Sequence, residues 1–157
     1  MNVREIGEGD ELVIVNLSRL MHAEAPAYRH ILFEPEKVAH WTRFCASDPD
    51  WICLLAENDA SAPVGFCAAG CVPMVFSSER TVDDLGLYVL PEYRGSSAAA
   101  RLVDYLREWA KAKGAIAMRF GLTTRVNDQQ ATSFLHRMGF EAGGVIMIHP
   151  LVPETVR

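Results

Sequence analysis

LGLYVLPEYRGSSAAARLVDYL, residues 85 to 106, is the stretch that decides the fold, because it joins a strand, a turn of small residues and an amphipathic helix. Apolar residues alternate up to Val89, as in a β-strand, and Pro91 ends that alternation. From Leu102 onward the apolar residues return at helical spacing. The segment therefore predicts a strand that leads through a turn into a helix.

The turn in this segment has the composition of an anion-binding site. Arg94 carries a fixed positive charge on a forked group of donors. The next five residues are no larger than serine; they are Gly95, Ser96, Ser97, Ala98 and Ala99. A helix that begins behind such a turn directs backbone N–H groups and the positive end of its dipole at one point. We therefore predict a phosphate site here, with a plain surface role for Arg94 as the alternative.

Two motifs in this half of the chain resemble those of the GNAT superfamily of N-acetyltransferases, which use acetyl-CoA. The first is the segment Q/RxxGxG/A, which cradles the CoA pyrophosphate in that family and is matched by Arg94, Ser97 and Ala99. The second is an Asn that opens a later helix, followed by Ala, an aromatic residue and Gly-Phe. Its counterparts are Asn127, Ala131, Phe134, Gly139 and Phe140. The N-terminal half resembles the family in the order of its elements.

The resemblance implies an α/β (α+β) fold in one domain over residues 1–157. Its sheet would be mixed and mostly antiparallel, flanked by helices, in the order βααβββαβαβ. The central strand would part from the next strand to admit the pantetheine arm of acetyl-CoA, the co-substrate. Backbone groups of Leu87, Tyr88 and Val89 would bind that arm and polarise the thioester carbonyl. Asn127, which also suits a helix N-cap, and Phe134, which also suits core packing, are further candidates for cofactor contact.

The chain departs from the family pattern at two positions. Ser97 replaces the second-position Gly of the phosphate motif, so a side chain must be accommodated there, although its hydroxyl could donate to a phosphate. Leu135 stands where many relatives have a Tyr that protonates the CoA thiolate. His136 is the neighbouring candidate for that proton, but it points about 100° away around the helix and also suits a surface position.

The expected chemistry needs a group that removes a proton from the acceptor, since an alkyl amine is almost wholly protonated at neutral pH. Asp83 and Asp84 lie at the start of the central strand. Neighbouring strand residues face opposite ways, so at most one of the two can point into the site. The family pattern favours Asp83 as the base or as the residue that positions a water, and a solvated strand end is the alternative for both.

Hydrophobic periodicity and turn residues predict the remaining elements. The first strand is expected at 3–6, and two helices at 10–28 and from Pro35 onward. Two strands follow at 51–56 and 64–75, and the central strand at 81–90. After the motif helix, which ends near Gly114, the expected elements are a strand at 116–122, a helix at 127–138 and a closing strand at 140–149.

Composition limits the class of protein. Half of the 157 residues are hydrophobic, which suffices for one ordinary core, and a net charge of −5 argues against a nucleic-acid partner. The four cysteines lack the spacing of a zinc site and are expected to be buried thiols, and the five histidines form no metal motif. With no apolar run of membrane-spanning length and a polar N-terminus, we expect a cytoplasmic protein with neither metal nor membrane partner.

The acceptor is expected to be an amine of a small molecule or a peptide. The loop-like segment 25–35, with Tyr28 and Phe33, and Trp41 beyond it, are where acceptor contacts are expected. The sequence leaves a homodimer as one alternative, because the segment from Val145 to Ile148 could pair across an interface or form an inner strand. The alternative function is a CoA-binding module with little or no transferase activity, which Ser97 and Leu135 keep open.

Overall fold

In the computed structural model of the protein, which describes residues 1–149 and 151, a sheet of five strands carries helices on both faces. The strands are β1 (Asn2–Glu5), β2 (Trp51–Glu57), β3 (Pro63–Pro73), β4 (Arg80–Val89) and β5 (Ala117–Arg119). The helices are α1 (Glu11–Glu24), α2 (Pro35–Ser47), α3 (Ala98–Ala112) and α4 (Asp128–Arg137). Short 3₁₀ turns cover Pro26–Tyr28 and Pro91–Tyr93.

The strands lie in the order β1-β2-β3-β4-β5. The first four are antiparallel to their neighbours, and β5 pairs with β4 in parallel. A parallel neighbour requires a crossover, which α3 provides between β4 and β5. The mixed, mostly antiparallel sheet with flanking helices confirms the predicted fold class.

Two apolar clusters lie on opposite faces of the sheet. Leu102 and Leu106 of α3 pack with Leu54 of β2 in one cluster. Ile14 of α1 packs with Leu55 of β2 in the other, together with residues of α2 and β4. Because successive strand residues point to opposite faces, Leu54 and Leu55 are both fully buried, each under a different helix layer.

The first helix ends earlier than its hydrophobic pattern predicts. It was expected to reach Tyr28, but α1 stops at Glu24, and Ala25 takes an extended conformation. Pro26 has no N–H for a helical hydrogen bond, and it disfavours the helical conformation of the residue before it. The chain resumes as the short 3₁₀ turn Pro26–Tyr28.

The predicted strand at 140–149 is wrong for the described chain, where no strand follows α4. Gly143 and Gly144 interrupt the segment, and apart from their chain neighbours no described residue comes within 4 Å of where their Cβ atoms would lie. Val145 and Met147 are 85% and 88% exposed, so little packing offsets the entropy cost of an extended strand. The preceding strand is also shorter than the predicted 116–122, because pairing with β4 ends at Arg119.

All four cysteines are free and buried, as predicted. Burial raises the pKa of the Cys45 thiol to about 11, so it is protonated at neutral pH. In the part of the chain that the structure describes, no helix is long and apolar enough to cross a membrane. Within the same residues, no group of three or more His, Cys, Asp or Glu side chains is arranged to hold a metal ion.

Candidate functional site

A cleft of about 400 Å³ opens where β4 and β5 separate. The two strands pair over three residue positions only, the last of which joins Asp83 to Arg119. Beyond it, Leu87 and Val89 of β4 line one wall, and Leu122 and Val126 line the opposite wall. Parting two neighbouring strands leaves one edge of β4 without a partner strand in this region, so its backbone groups can bond a ligand.

The turn after β4 closes one end of the cleft. Gly95 adopts a φ of +86°, a conformation that glycine reaches without steric cost. Apart from its chain neighbours, no residue of the described chain lies within 4 Å of the position that a Cβ would take there. Within residues 1–149 and 151, the backbone N–H groups of Gly95, Ser97, Ala99 and Ala100 donate no hydrogen bond. The Ser97 side chain occupies the N-cap position of α3 without making a capping bond. The turn therefore offers several donors and a helix N-terminus to an anion.

Arg94 lies beside this turn and lines the cleft. Its Nε donates to the carbonyl oxygen of Val89 at 3.1 Å, and its guanidinium lies 5.7 Å from the ring centroid of Tyr88. Its Nη1 and Nη2 donate to the two carboxylate oxygens of Glu24, each at 2.6 Å. The hydrogen bonds from Arg94 hold the pKa of Glu24 below its usual range. The guanidinium therefore lies beside the turn, where it could bind an anionic ligand, and it already binds the carboxylate of Glu24.

The two candidate acids of β4 have different surroundings. Asp83 is ion-paired with Arg119, whose Nε donates to its Oδ1 at 2.7 Å, and it also accepts a bond from Thr81. Asp84 accepts a hydrogen bond from the N–H of Gly121 at 2.7 Å. Burial raises the pKa of Asp84 to about 6. The bond from Gly121 opposes this rise, and the negative charge of Asp83 adds a smaller contribution to it.

A β-bulge separates these acids from the part of β4 that lines the cleft. Ala68 of β3 pairs with Gly86 and Ala69 pairs with Asp84, so Leu85 is the extra residue. The bulge reverses the alternation along the strand, because an extra residue shifts each later side chain to the other face. A Cβ at Gly86 would lie 3.6 Å from Cε of Met21, which lines the cleft.

The second motif forms the opposite wall. Asn127 caps α4 by accepting a bond from the N–H of Gln130 at 3.1 Å, which confirms its predicted capping role, and it also lines the cleft with Phe134. Leu135 is buried. The Nδ1 of His136 donates to the carbonyl of Phe140 at 2.9 Å, and His136 is not a lining residue of the cleft.

The predicted acceptor segment reaches the same wall from the other side. The N–H of Ala27 donates to the carbonyl of Thr124 at 3.4 Å, and the Tyr28 hydroxyl lies 3.3 Å from the Thr123 hydroxyl. Tyr28 and Phe33 pack around His22 of α1. Trp41 is separate from them, because it packs in α2 against Phe44 and against Trp51 of β2.

The comparisons with known proteins agree with this architecture. The sequence model of the Acetyltransferase (GNAT) family matches residues 17–140. The chain therefore belongs to the GNAT acetyltransferase family. The search of curated proteins gave no match.

Solved structures share the fold at low sequence identity. A tetramutant of the BH1408 protein from Bacillus halodurans aligns with a TM-score of 0.79 and 17% identity over 96% of this chain and 100% of its own. A ribosomal-protein-alanine N-acetyltransferase from Brucella melitensis biovar Abortus 2308 aligns with a TM-score of 0.71 and 15% identity over 96% and 100%. AAC(6')-Iy, in complex with the bisubstrate analogue CoA-S-monomethyl-acetylneamine, aligns with a TM-score of 0.74 and 16% identity over 97% and 98%.

Sequence reasoning missed one residue that lines the cleft, Met21, and one that bonds a lining residue, Glu24. The two lie one turn apart in α1, far along the chain from the phosphate motif. Met21 shows only the apolar spacing of any core residue, and an acidic residue at a helix end carries no signal of its partner. Their contacts at the site emerge only when α1 is packed against β4.

Proposed function

We propose that the protein is an acetyl-CoA-dependent N-acetyltransferase, which transfers the acetyl group to an amine by direct attack in a ternary complex. The observation that carries this proposal is the turn at 95–100, where four backbone N–H groups lack a partner among the described residues, next to the parted strands. A diphosphate is the part of acetyl-CoA that such a turn suits. The matched GNAT family supports the same co-substrate.

The residues of the cleft fit the remainder of that molecule. Arg94 and the turn would hold the diphosphate, and the unpaired edge of β4 from Leu87 to Val89 would bond the pantetheine amides. Leu122, Val126 and Phe134 would cover its apolar atoms on the opposite wall. Acetyl-CoA supplies an already activated thioester, so the protein's tasks are to position the reactants and to remove a proton.

For the proton acceptor we propose Asp84, acting directly or through a water. Its pKa near 6 leaves it ionised at neutral pH and close to the value that suits a general base. In support, its Oδ1 accepts a hydrogen bond from the N–H of Gly121, and the next residue, Leu122, lines the cleft. Asp83, the residue that the family pattern favours, stays the competing candidate. Its carboxylate is ion-paired with Arg119.

Binding is tested first, by thermal unfolding with and without acetyl-CoA. At a concentration about a hundredfold above the dissociation constant, the ligand should stabilise the fold by roughly 2.7 kcal/mol, a shift of about 5 to 10 °C. Arg94→Ala should lose most of that shift. Arg101→Ala is the matched control, since Arg101 is an exposed arginine of α3 that does not line the cleft. An unshifted wild-type protein would refute the proposal.

Transfer is tested by release of free CoA thiol in the presence of amines. The panel should include neamine and a peptide with an N-terminal alanine, because the names of two structural relatives contain these chemistries. We expect thiol release that rises with the concentration of at least one amine. If acetyl-CoA binds but no amine in a broad panel causes release of the CoA thiol, the result would favour the CoA-binding module instead. Leu135, at the position where many relatives have a Tyr, is the feature that supports that alternative.

A further inference from the structure

The contact between Glu24 and Arg94 joins two distant parts of the chain at the phosphate turn. Glu24 is the last residue of α1, and Arg94 follows the 3₁₀ turn after β4. Both carboxylate oxygens and both terminal nitrogens take part, with distances of 2.6 Å, and neither side chain is more than about one-third exposed. Such a bidentate, partly desolvated ion pair is stronger than an ordinary surface pair.

The contact uses the edge of the guanidinium that a phosphate would need. A planar guanidinium has two edges on which a pair of N–H groups can bind an oxyanion, one between Nη1 and Nη2 and one between Nε and a terminal nitrogen. Glu24 binds the first edge, and the Val89 carbonyl accepts the bond from Nε on the second edge. Neither edge therefore keeps two N–H groups free for a diphosphate.

We propose that Glu24 takes the place of a cofactor phosphate on Arg94, and that the diphosphate of acetyl-CoA displaces it on binding. The inference rests on the proposed function, since it takes acetyl-CoA as the ligand. Glu24 thereby weakens cofactor binding, because its bond to Arg94 is broken in the complex. Glu24 therefore determines the affinity for acetyl-CoA indirectly, through its contact with Arg94.

Arg94 keeps its place when the carboxylate leaves. The bond from its Nε to the Val89 carbonyl and the contact of its guanidinium with the Tyr88 ring are both made with β4, which ends just before the 3₁₀ turn that leads to Arg94. These contacts orient the group without help from α1. Removal of the Glu24 charge should therefore free the guanidinium for the diphosphate and leave its position unchanged.

The test is isothermal titration of acetyl-CoA into the wild type and Glu24→Gln, which keeps the shape of the side chain and removes its charge. We expect the variant to bind about fivefold more tightly, the equivalent of about 1 kcal/mol. Glu92→Gln is the matched control, because Glu92 lies near Arg94 without bonding it. S-acetylpantetheine, which lacks the diphosphate, should bind the variant and the wild type equally.

A thermodynamic cycle makes the test stricter. If the ion pair exists only in the ligand-free protein, Glu24→Gln must lower the free energy of unfolding without ligand by the amount that it adds to binding. In an Arg94→Ala background, Glu24→Gln should change neither quantity. If Glu24→Gln loses stability but binds acetyl-CoA as the wild type does, or binds it more weakly, the inference about Glu24 is wrong while the proposed function stands. A wild type that does not bind acetyl-CoA would overturn the proposed function, and the inference with it.

Discussion

Replacement of Asp84 by Asn tests the site most sharply, because the expected effects on stability and on rate have opposite signs. The folded-state pKa of Asp84 is about 6, raised mainly by burial from a reference of 3.8. A difference of about two units, at 1.36 kcal/mol per unit, amounts to about 2 to 3 kcal/mol after a discount for partial exposure. At pH 8, where Asp84 is ionised, its charge therefore lowers the free energy of unfolding by that amount.

The direction with pH follows from proton binding. Between about pH 4 and pH 6 the folded chain holds a proton on Asp84 that the unfolded chain has lost, so this group's contribution to stability falls as pH rises through 6. Asn carries no charge, and its carbonyl can still accept the bond from Gly121. Asp84→Asn should match the wild type near pH 4 and exceed it at pH 8 by about 5 to 10 °C in Tm.

The rate should change in the other direction. Without a proton acceptor, kcat at pH 7 should fall by about a hundredfold, and the rise in rate centred near pH 6 in the wild type should be absent. Melting curves at pH 4 and pH 8 and a pH–rate profile measure both effects. A variant less stable than the wild type at pH 8 would refute the burial argument, and one with a full rate across pH 5 to 8 would refute the assignment of the base.

Asp83→Asn is the matched control, one residue away on the same strand. It removes an exposed ion pair with Arg119, so we expect a loss of at most about 1 kcal/mol in stability. The rate should stay within a few-fold of the wild type. A large fall in rate here with none in Asp84→Asn would assign the proton acceptor to Asp83 instead.

Three further substitutions test how the fold supports the cleft, each by urea unfolding. Leu102→Ala removes a fully buried side chain of α3 and should cost about 3 to 5 kcal/mol. Gly65→Ala should cost about 1 to 3 kcal/mol, because its Cβ would lie 2.5 Å from the Tyr88 carbonyl oxygen; a neutral result would mean that β4 can move there. Asn127→Ala removes the cap of α4 and should cost about 1 kcal/mol, whereas Asn127→Ser should retain most of that stability.

Local patterns predicted the elements that carry the phosphate motif. Alternation up to Val89, the stop at Pro91 and the helical spacing from Leu102 correspond to β4, a 3₁₀ turn and α3. Such features depend on residues close in sequence, so periodicity and turn chemistry are sufficient to find them. Pro35 likewise begins α2, as its preference for a first helical position predicts.

Features that depend on distant parts of the chain were harder to predict. Alternation alone allows Asp83 and Asp84 to face opposite ways, but it cannot show that Leu85 forms a bulge, because the bulge arises from pairing with Ala68 and Ala69. The bond between Glu24 and Arg94 spans seventy positions. The prediction of a strand at 140–149 was wrong because it relied on a local preference alone. The β-branched residues near Val145 favour a strand, but the neighbouring β5 is too short to pair with it.

Several departures from regular structure lie around the cleft. β2 and β3 pair along most of their length and supply much of the core, whereas β4 has a bulge at Leu85 and β5 ends after three residues. Each departure gives up ladder hydrogen bonds or packing that a regular sheet would keep. The turn at Ser97 leaves N–H groups without partners in the described chain, and Asp84 keeps a half-buried carboxylate. A ligand that bonds the open backbone groups and the turn would offset these losses, which is why we place the function here.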